Sequence, residues 1–320
     1  IGQLMWRYHP VKRIYEVFSE GGGNIWSCEF DSKGRLYAGA NEGRKLGYHY
    51  MQGSYNRKNF SKHGALSNNY AFGYFNGIEE LGSQRVTTNL MVYEEGQLPA
   101  RYDQSILTAN ALAGQVLASR KVPIGPSLHS KSIDTMLNSG DRWVRPVYLA
   151  PGPDGAVYVA DWYDQQVNHF RNSEGRMSSV DGRVYRIRSE KSEPGVSVDL
   201  RRLSSDELVV TLSDERRWYR ETARRLLNER QDRSVLPKLA ALIRNETGQL
   251  ALEALWVSNL LGGFSERLRL KTLEHSDPWV RLWTIRLIGD GRVATDRELA
   301  GMIALAANDP HIEVRQQIAS

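Results

Sequence analysis

The chain has 320 residues, 41% hydrophobic and 25% charged, with 42 lysines and arginines against 37 aspartates and glutamates, a formal net charge of +5. This is ordinary globular composition with apolar material for two cores. The lone cysteine, Cys28, excludes an internal disulfide or a cysteine-rich metal site; no apolar run approaches the ~18 residues of a membrane helix; and the small charge excess comes without a basic tail or RNA motif, so no nucleic-acid partner is expected.

Residues 1–189 read as β territory. Met5-Trp6-Arg7-Tyr8 and Arg13 to Phe18 alternate apolar and polar residues, as half-buried strands do. Ile25 to Gly39 follows the layout strand, Asp31-Ser32-Lys33-Gly34 turn, strand. The same layout returns at Arg145 to Tyr163, where Pro153-Asp154-Gly155 supplies the turn chemistry. Gly34 and Gly155 lie 121 residues apart, which leaves room for one more unit, with strands at Ser105–Ala109 and Gly114–Ala118. Gly182 to Ile187 supplies a last strand. The pattern predicts about three blades of an all-β propeller, the C-terminal portion of one, since a closed propeller has ~4–8 blades. The segment from Gly47 to Tyr74 has no period and reads as a long loop over the propeller face.

A polar linker is expected over 190–199, around Pro194-Gly195, and an all-α domain over 200–320. Apolar spacing predicts helices over Asp206–Leu212, Trp218–Asn228, Val235–Ile243, Leu250–Leu261, Arg267–Leu273, Val280–Ile288 and Glu298–Ala307. Asp277 lies 63 residues after Asp214, and Asp309 lies 32 after Asp277. Read as a 32-residue period with a middle start near Asn245, these helix openings predict HEAT-like repeats, with Arg220 and Arg281 in a repeated ladder. The start at Ile1, without an initiator methionine or signal, and the end at Ser320 within a helical pattern read as a piece of a longer protein.

The chemistry-bearing candidates are few. The P-loop, zinc-protease, serine-hydrolase and haem-attachment motifs are absent from the sequence. His49 and His63, with Lys62 and Tyr48 beside them in the aromatic segment, suit a general base for an alcohol substrate; the plainer reading is histidines bonded to backbone. Asp161, followed by Trp162 and Tyr163 and then His169, could orient a substrate hydroxyl; the plainer reading is that Asp161 caps a turn and Trp162 packs. Arg142 and Arg145 flank Trp143 and could clamp a carboxylate or a quinone, or form inter-blade ion pairs. No metal-ligand spacing is present.

Gly47-Tyr48-His49-Tyr50-Met51-Gln52-Gly53, Lys62-His63-Gly64, Tyr70 to Tyr74, Arg145-Pro146 through Asp154-Gly155 to Asp161-Trp162-Tyr163, His169 and Gly182 to Ile187 together carry a resemblance. The chain resembles large bacterial proteins described as membrane-bound dehydrogenases, in which a propeller related to soluble quinoprotein glucose dehydrogenase and sorbosone dehydrogenase is joined to HEAT repeats. The resemblance implies a sugar or alcohol dehydrogenase passing electrons to a quinone or a cytochrome. It further implies pyrroloquinoline quinone with calcium as cofactors, a cytochrome c domain in the full-length parent, and a periplasmic or cell-envelope location. Asn24 matches the asparagine of the family's quinone-binding Arg-Asn pair, with Gly23 in place of its arginine. The lysine position falls near Leu112, and Arg142 and Arg145 resemble the final arginine pair with different spacing. The family's catalytic histidine would lie on an earlier blade. The residues alone leave a second reading open: a non-catalytic propeller holding a glycan, with the helices holding a partner protein.

Overall fold

The computed structural model describes residues 3–40, 45–57, 71–79, 88–165, 180–190 and 198–320. Chain contacts divide it into two compact units, Ile1–Pro194 with Ser320, and Gly195–Ala319.

The first unit holds fifteen strands among its described residues. In chain order they are β1 (Leu4–His9), β2 (Ile14–Gly21), β3 (Glu29–Phe30), β4 (Leu36–Gly39), β5 (Lys45–Tyr50), β6 (Tyr55–Asn56), β7 (Tyr74–Phe75) and β8 (Ile78–Glu79). There follow β9 (Leu90–Val92), β10 (Ile106–Asn110), β11 (Gln115–Ile124), β12 (Ser127–Asn138), β13 (Pro146–Pro151), β14 (Val157–Asp161) and β15 (Arg183–Ile187). They form four separate small sheets, ordered β1-β2-β6-β7, β3-β4-β5-β8, β12-β11-β10-β9 and β13-β14-β15.

This corrects the expected three-blade partial propeller. Among the described residues the sheets number four and none closes. The first is mixed, because β6 pairs in parallel with both β2 and β7, whereas a propeller blade is an antiparallel meander. The turns sit where their chemistry places them. Gly34 and Gly155 take φ of 74° and 73°, a left-handed conformation open to glycine without strain. Apolar clusters lie between consecutive sheets. Phe18 packs with Leu36, Ala38, Tyr48 and Tyr50; Tyr37, Leu46 and Ile78 pack with Leu90, Ile106 and Leu117; Met91, Leu107 and Val116 pack with Leu149, Val157 and Val159. Asn89 ties three sheets at once, donating to Glu29 Oε1 and accepting the Leu149 N–H, each at 3.0 Å.

The expected long loop beginning at Gly47 is also corrected. Residues 45–50 are β5, paired antiparallel with β4 and buried from Leu46 onward. A strand covered on both faces shows no alternation, so Leu-Gly-Tyr-His-Tyr hides its conformation.

The second unit is helical: α1 (Ser205–Thr211), α2 (Arg217–Arg230), α3 (Leu236–Asn245), α4 (Gly248–Leu260), α5 (Glu266–Leu273), α6 (Pro278–Gly291), α7 (Asp296–Asn308) and α8 (Ile312–Ala319). Capping boxes at Ser204/Glu207 and Thr295/Glu298 open α1 and α7, and Asp277 caps α6 ahead of Pro278. The expected regular array of HEAT-like repeats is not formed on that spacing. Asn245, the expected middle start, is the last residue of α3, and Asp309 closes α7 while its carboxylate accepts the His311 N–H ahead of α8. Helix lengths run from 7 to 14 residues. Arg220 and Arg281 do share one local device. Arg220 donates to the carbonyls of Asp214 and Glu215, and Arg281 to those of His275 and Ser276.

Candidate functional site

The sequence candidates of β13 to β15 meet at the end of β14. Asp161 is buried there, 7% exposed. Its Oδ1 accepts the backbone N–H of Arg145 at 2.7 Å and of Tyr163 at 2.9 Å, and its Oδ2 accepts the Tyr185 hydroxyl at 3.1 Å. Burial, then that bond to Asp161, raises the pKa of the Tyr185 phenol. A carboxylate with three such donors is a corner post, and it holds an unusual backbone. Tyr163 has φ of 48°, a left-handed conformation that costs a residue with a Cβ about 1–2 kcal/mol; the bond from its N–H to Asp161 offsets part of that.

The corner presents aromatic surface. The Tyr163 ring lies 5.8 Å from that of Trp143, the Arg183 guanidinium sits 4.9 Å from its centroid, and its hydroxyl donates to Asp141 Oδ2 at 3.3 Å. Trp162 is 59% exposed, and its indole N–H donates to Asp164 Oδ2 at 3.2 Å. Side chains of both signs, Asp141, Asp164 and Arg183, therefore surround half-exposed rings.

Arg145 supports this corner from behind. Its guanidinium donates to the carbonyls of Asp164 at 2.8 Å, Gln165 at 2.8 Å, Ala111 at 3.1 Å and Leu112 at 3.3 Å. It straps the turn between β10 and β11 to the segment after β14. The residues that the resemblance would assign to a quinone do not fit one. The Arg145 fork is spent on carbonyls, and its burial lowers its pKa. Leu112, at the lysine position, is apolar and 44% exposed. Asn24 is exposed in a left-handed turn, φ 52°, and Arg142 is exposed. Among the described residues no group of three or more His, Cys, Asp or Glu could hold a metal ion.

His49 and Tyr48 lie elsewhere, inside the sheet that contains β5. Tyr48 is fully buried and donates to the Arg57 carbonyl at 3.3 Å. His49 is 4% exposed and stacks on Tyr37 with centroids 5.1 Å apart; its Nδ1 has no hydrogen-bond partner among the described residues. Burial, reinforced by the charge of Arg35, pushes its pKa down to about 3, far below the range useful to a general base at neutral pH. Lys62, His63 and His169 lie outside the described residues.

Trp143, Arg183, Tyr185 and Asp141 join the corner without having been singled out as site residues. One signal was present. Arg183 and Tyr185 are two apart on β15, so they share a face.

What the fold and corner define is a strand-rich unit presenting aromatic and charged side chains from one sheet end, followed by a helical unit. The chain belongs to the family of the domain of unknown function DUF7133, which matches residues 1–191. None of the curated proteins compared with the chain matches it. Among solved structures, an oxidoreductase described as a glucose dehydrogenase, from Thermus thermophilus, is weakly similar: the TM-score is 0.38 and the identity 17%. That match covers 53% of this chain and 46% of the other, so the chain spans less than half of that protein's length. Among the described residues no helix is long and apolar enough to cross a membrane.

Proposed function

We propose that the strand-rich unit binds a carbohydrate at the Asp161 corner. The observation that carries this reading is Trp162, 59% exposed with its indole N–H held by Asp164. A pyranose has an apolar face of C–H bonds rimmed by hydroxyls. An exposed indole face suits the first, and neighbouring carboxylates and a guanidinium suit the second. Fixing the ring through Asp164 reduces the entropy lost on binding. Tyr163 and Trp143 extend the apolar surface, with Asp141 and Arg183 as hydroxyl partners. The test is calorimetric titration with hexoses and polyols. Trp162→Ala is expected to weaken binding about tenfold without moving the melting temperature. Unchanged affinity in that variant would overturn the reading.

Oxidation of the bound sugar is the second reading. It is favoured by the resemblance of the segment from Arg145 to Tyr163 to sugar dehydrogenases. Its test is dye-linked reduction by the protein supplied with pyrroloquinoline quinone and calcium.

A further inference from the structure

The helical unit carries a separate feature. A groove of about 600 Å³ runs between α3 and α5. It is lined by three cations, Arg244, Arg267 and Lys271, and one carboxylate, Glu274. All three cations are exposed. Several arginines of this unit are matched to carboxylates: Arg224 to Glu253 at 2.6 Å, Arg269 to Glu298 at 2.5 Å and Arg281 to Asp309 at 2.7 Å. The groove cations have no such match among the described residues; Arg244 reaches only the side chain of its neighbour Asn245, at 3.4 Å. Arg267 and Lys271 stand four apart on α5, a like-charge spacing that disfavours the helix slightly and is relieved by a bound anion.

A second groove of about 630 Å³ shares Glu274, His275 and Ser276 with the first and adds the ion-paired Arg281 and Asp309 and, on α7, the exposed Arg297. The two flank α5 and meet at its C-terminal end. Their floors are apolar, with Ile243 and Leu268 in one and Leu273 and Leu305 in the other. Length, an apolar floor and a cationic rim suit an extended chain better than a single small ion.

We propose that these grooves bind an acidic peptide segment of a partner protein, its carboxylates on Arg244, Arg267, Lys271 and Arg297. Charge complementarity sets the partner's chemistry and makes the affinity salt-dependent. The site is independent of the carbohydrate corner, so either can fail alone.

The experiment is fluorescence anisotropy of labelled hexaglutamate with the full chain. Hexaglutamine is the neutral control. Hexaglutamate is expected to bind, hexaglutamine not, and Arg267→Glu combined with Lys271→Glu should weaken binding at least about tenfold. Arg244→Ala, a milder change, should weaken it by a smaller factor. Arg225→Glu, an exposed position outside the groove, should leave it unchanged, and circular dichroism melts check that each variant is folded. Equal binding by the double variant overturns the proposal. So does competition by inorganic phosphate at equal total charge, which would mark a small-anion site, or tighter binding of single-stranded DNA of equal length.

Discussion

Arg145 and Asp161 meet through the backbone and not as a side-chain ion pair: the Asp161 carboxylate accepts the Arg145 main-chain N–H at 2.7 Å, while the guanidinium turns to the carbonyls of Ala111, Leu112, Asp164 and Gln165. Removing the guanidinium leaves those acceptors unmatched. Arg145→Met should cost about 3 kcal/mol of stability, read from urea unfolding. Arg145→Lys should recover less than half of that, because an ammonium cannot reproduce the planar fork. An unmoved unfolding midpoint would return Arg145 to the role of an anion clamp.

Tyr163 separates presentation from support. Asparagine tolerates the left-handed backbone that Tyr163 adopts at φ 48°. Tyr163→Asn should therefore change stability by less than about 1 kcal/mol while weakening sugar binding in the calorimeter. Asp161→Ala should lower both, because it removes the acceptor for the Arg145 and Tyr163 N–H groups and for the Tyr185 hydroxyl.

His49 gives the strand-rich unit a pH dependence with a definite sign. Its pKa is pushed down to about 3 by burial and by Arg35, against about 6.5 in an unfolded chain. The folded state resists protonation, so the His49 contribution is fully present above pH 6.5. As pH falls towards 3 it is lost, at about 1.4 kcal/mol per pH unit in the middle of that window. His49→Phe keeps a ring against Tyr37 and should flatten the profile between those limits. A wild-type unfolding free energy constant from pH 7 to 4 would contradict the buried neutral histidine.

Glu253 is a test within the helical unit. It is 1% exposed and pairs with Arg224 at 2.6 Å and Arg220 at 3.4 Å. Gln249 donates to it at 2.9 Å. Glu253→Gln removes the carboxylate charge opposite Arg224 and the buried Arg220 and should cost about 3 kcal/mol in the thermal or urea transition of that unit.

Local chemistry was legible and long-range chemistry was not. Asp31 to Gly34 and Asp154-Gly155 announce turns because the residues that favour them are adjacent in sequence. Asp277-Pro278 announces a helix start for the same reason. The parallel partners of β6 could not be read, since pairing Tyr55 with Tyr74 and Glu20 leaves no periodic trace. The regular repeat failed at Asn245, where a capping residue type ends a helix instead of opening one. Arg145 carries no sequence sign that its acceptors lie 19 and 20 residues ahead and 33 and 34 behind. Burial of His49 went unread because Gly47 and the flanking tyrosines give no alternation. At the corner, Asp161, Trp162 and Tyr163 stood out in sequence, while Trp143 and Arg183 became partners only through the register of β13, β14 and β15.

The most direct measurement is a calorimetric titration of the protein with glucose and related hexoses, with and without pyrroloquinoline quinone and calcium. Saturable sugar binding that needs no cofactor, and is weakened about tenfold in Trp162→Ala, is the predicted result. Sugar binding seen only after quinone binds, and unaffected by Trp162→Ala, would contradict the carbohydrate corner.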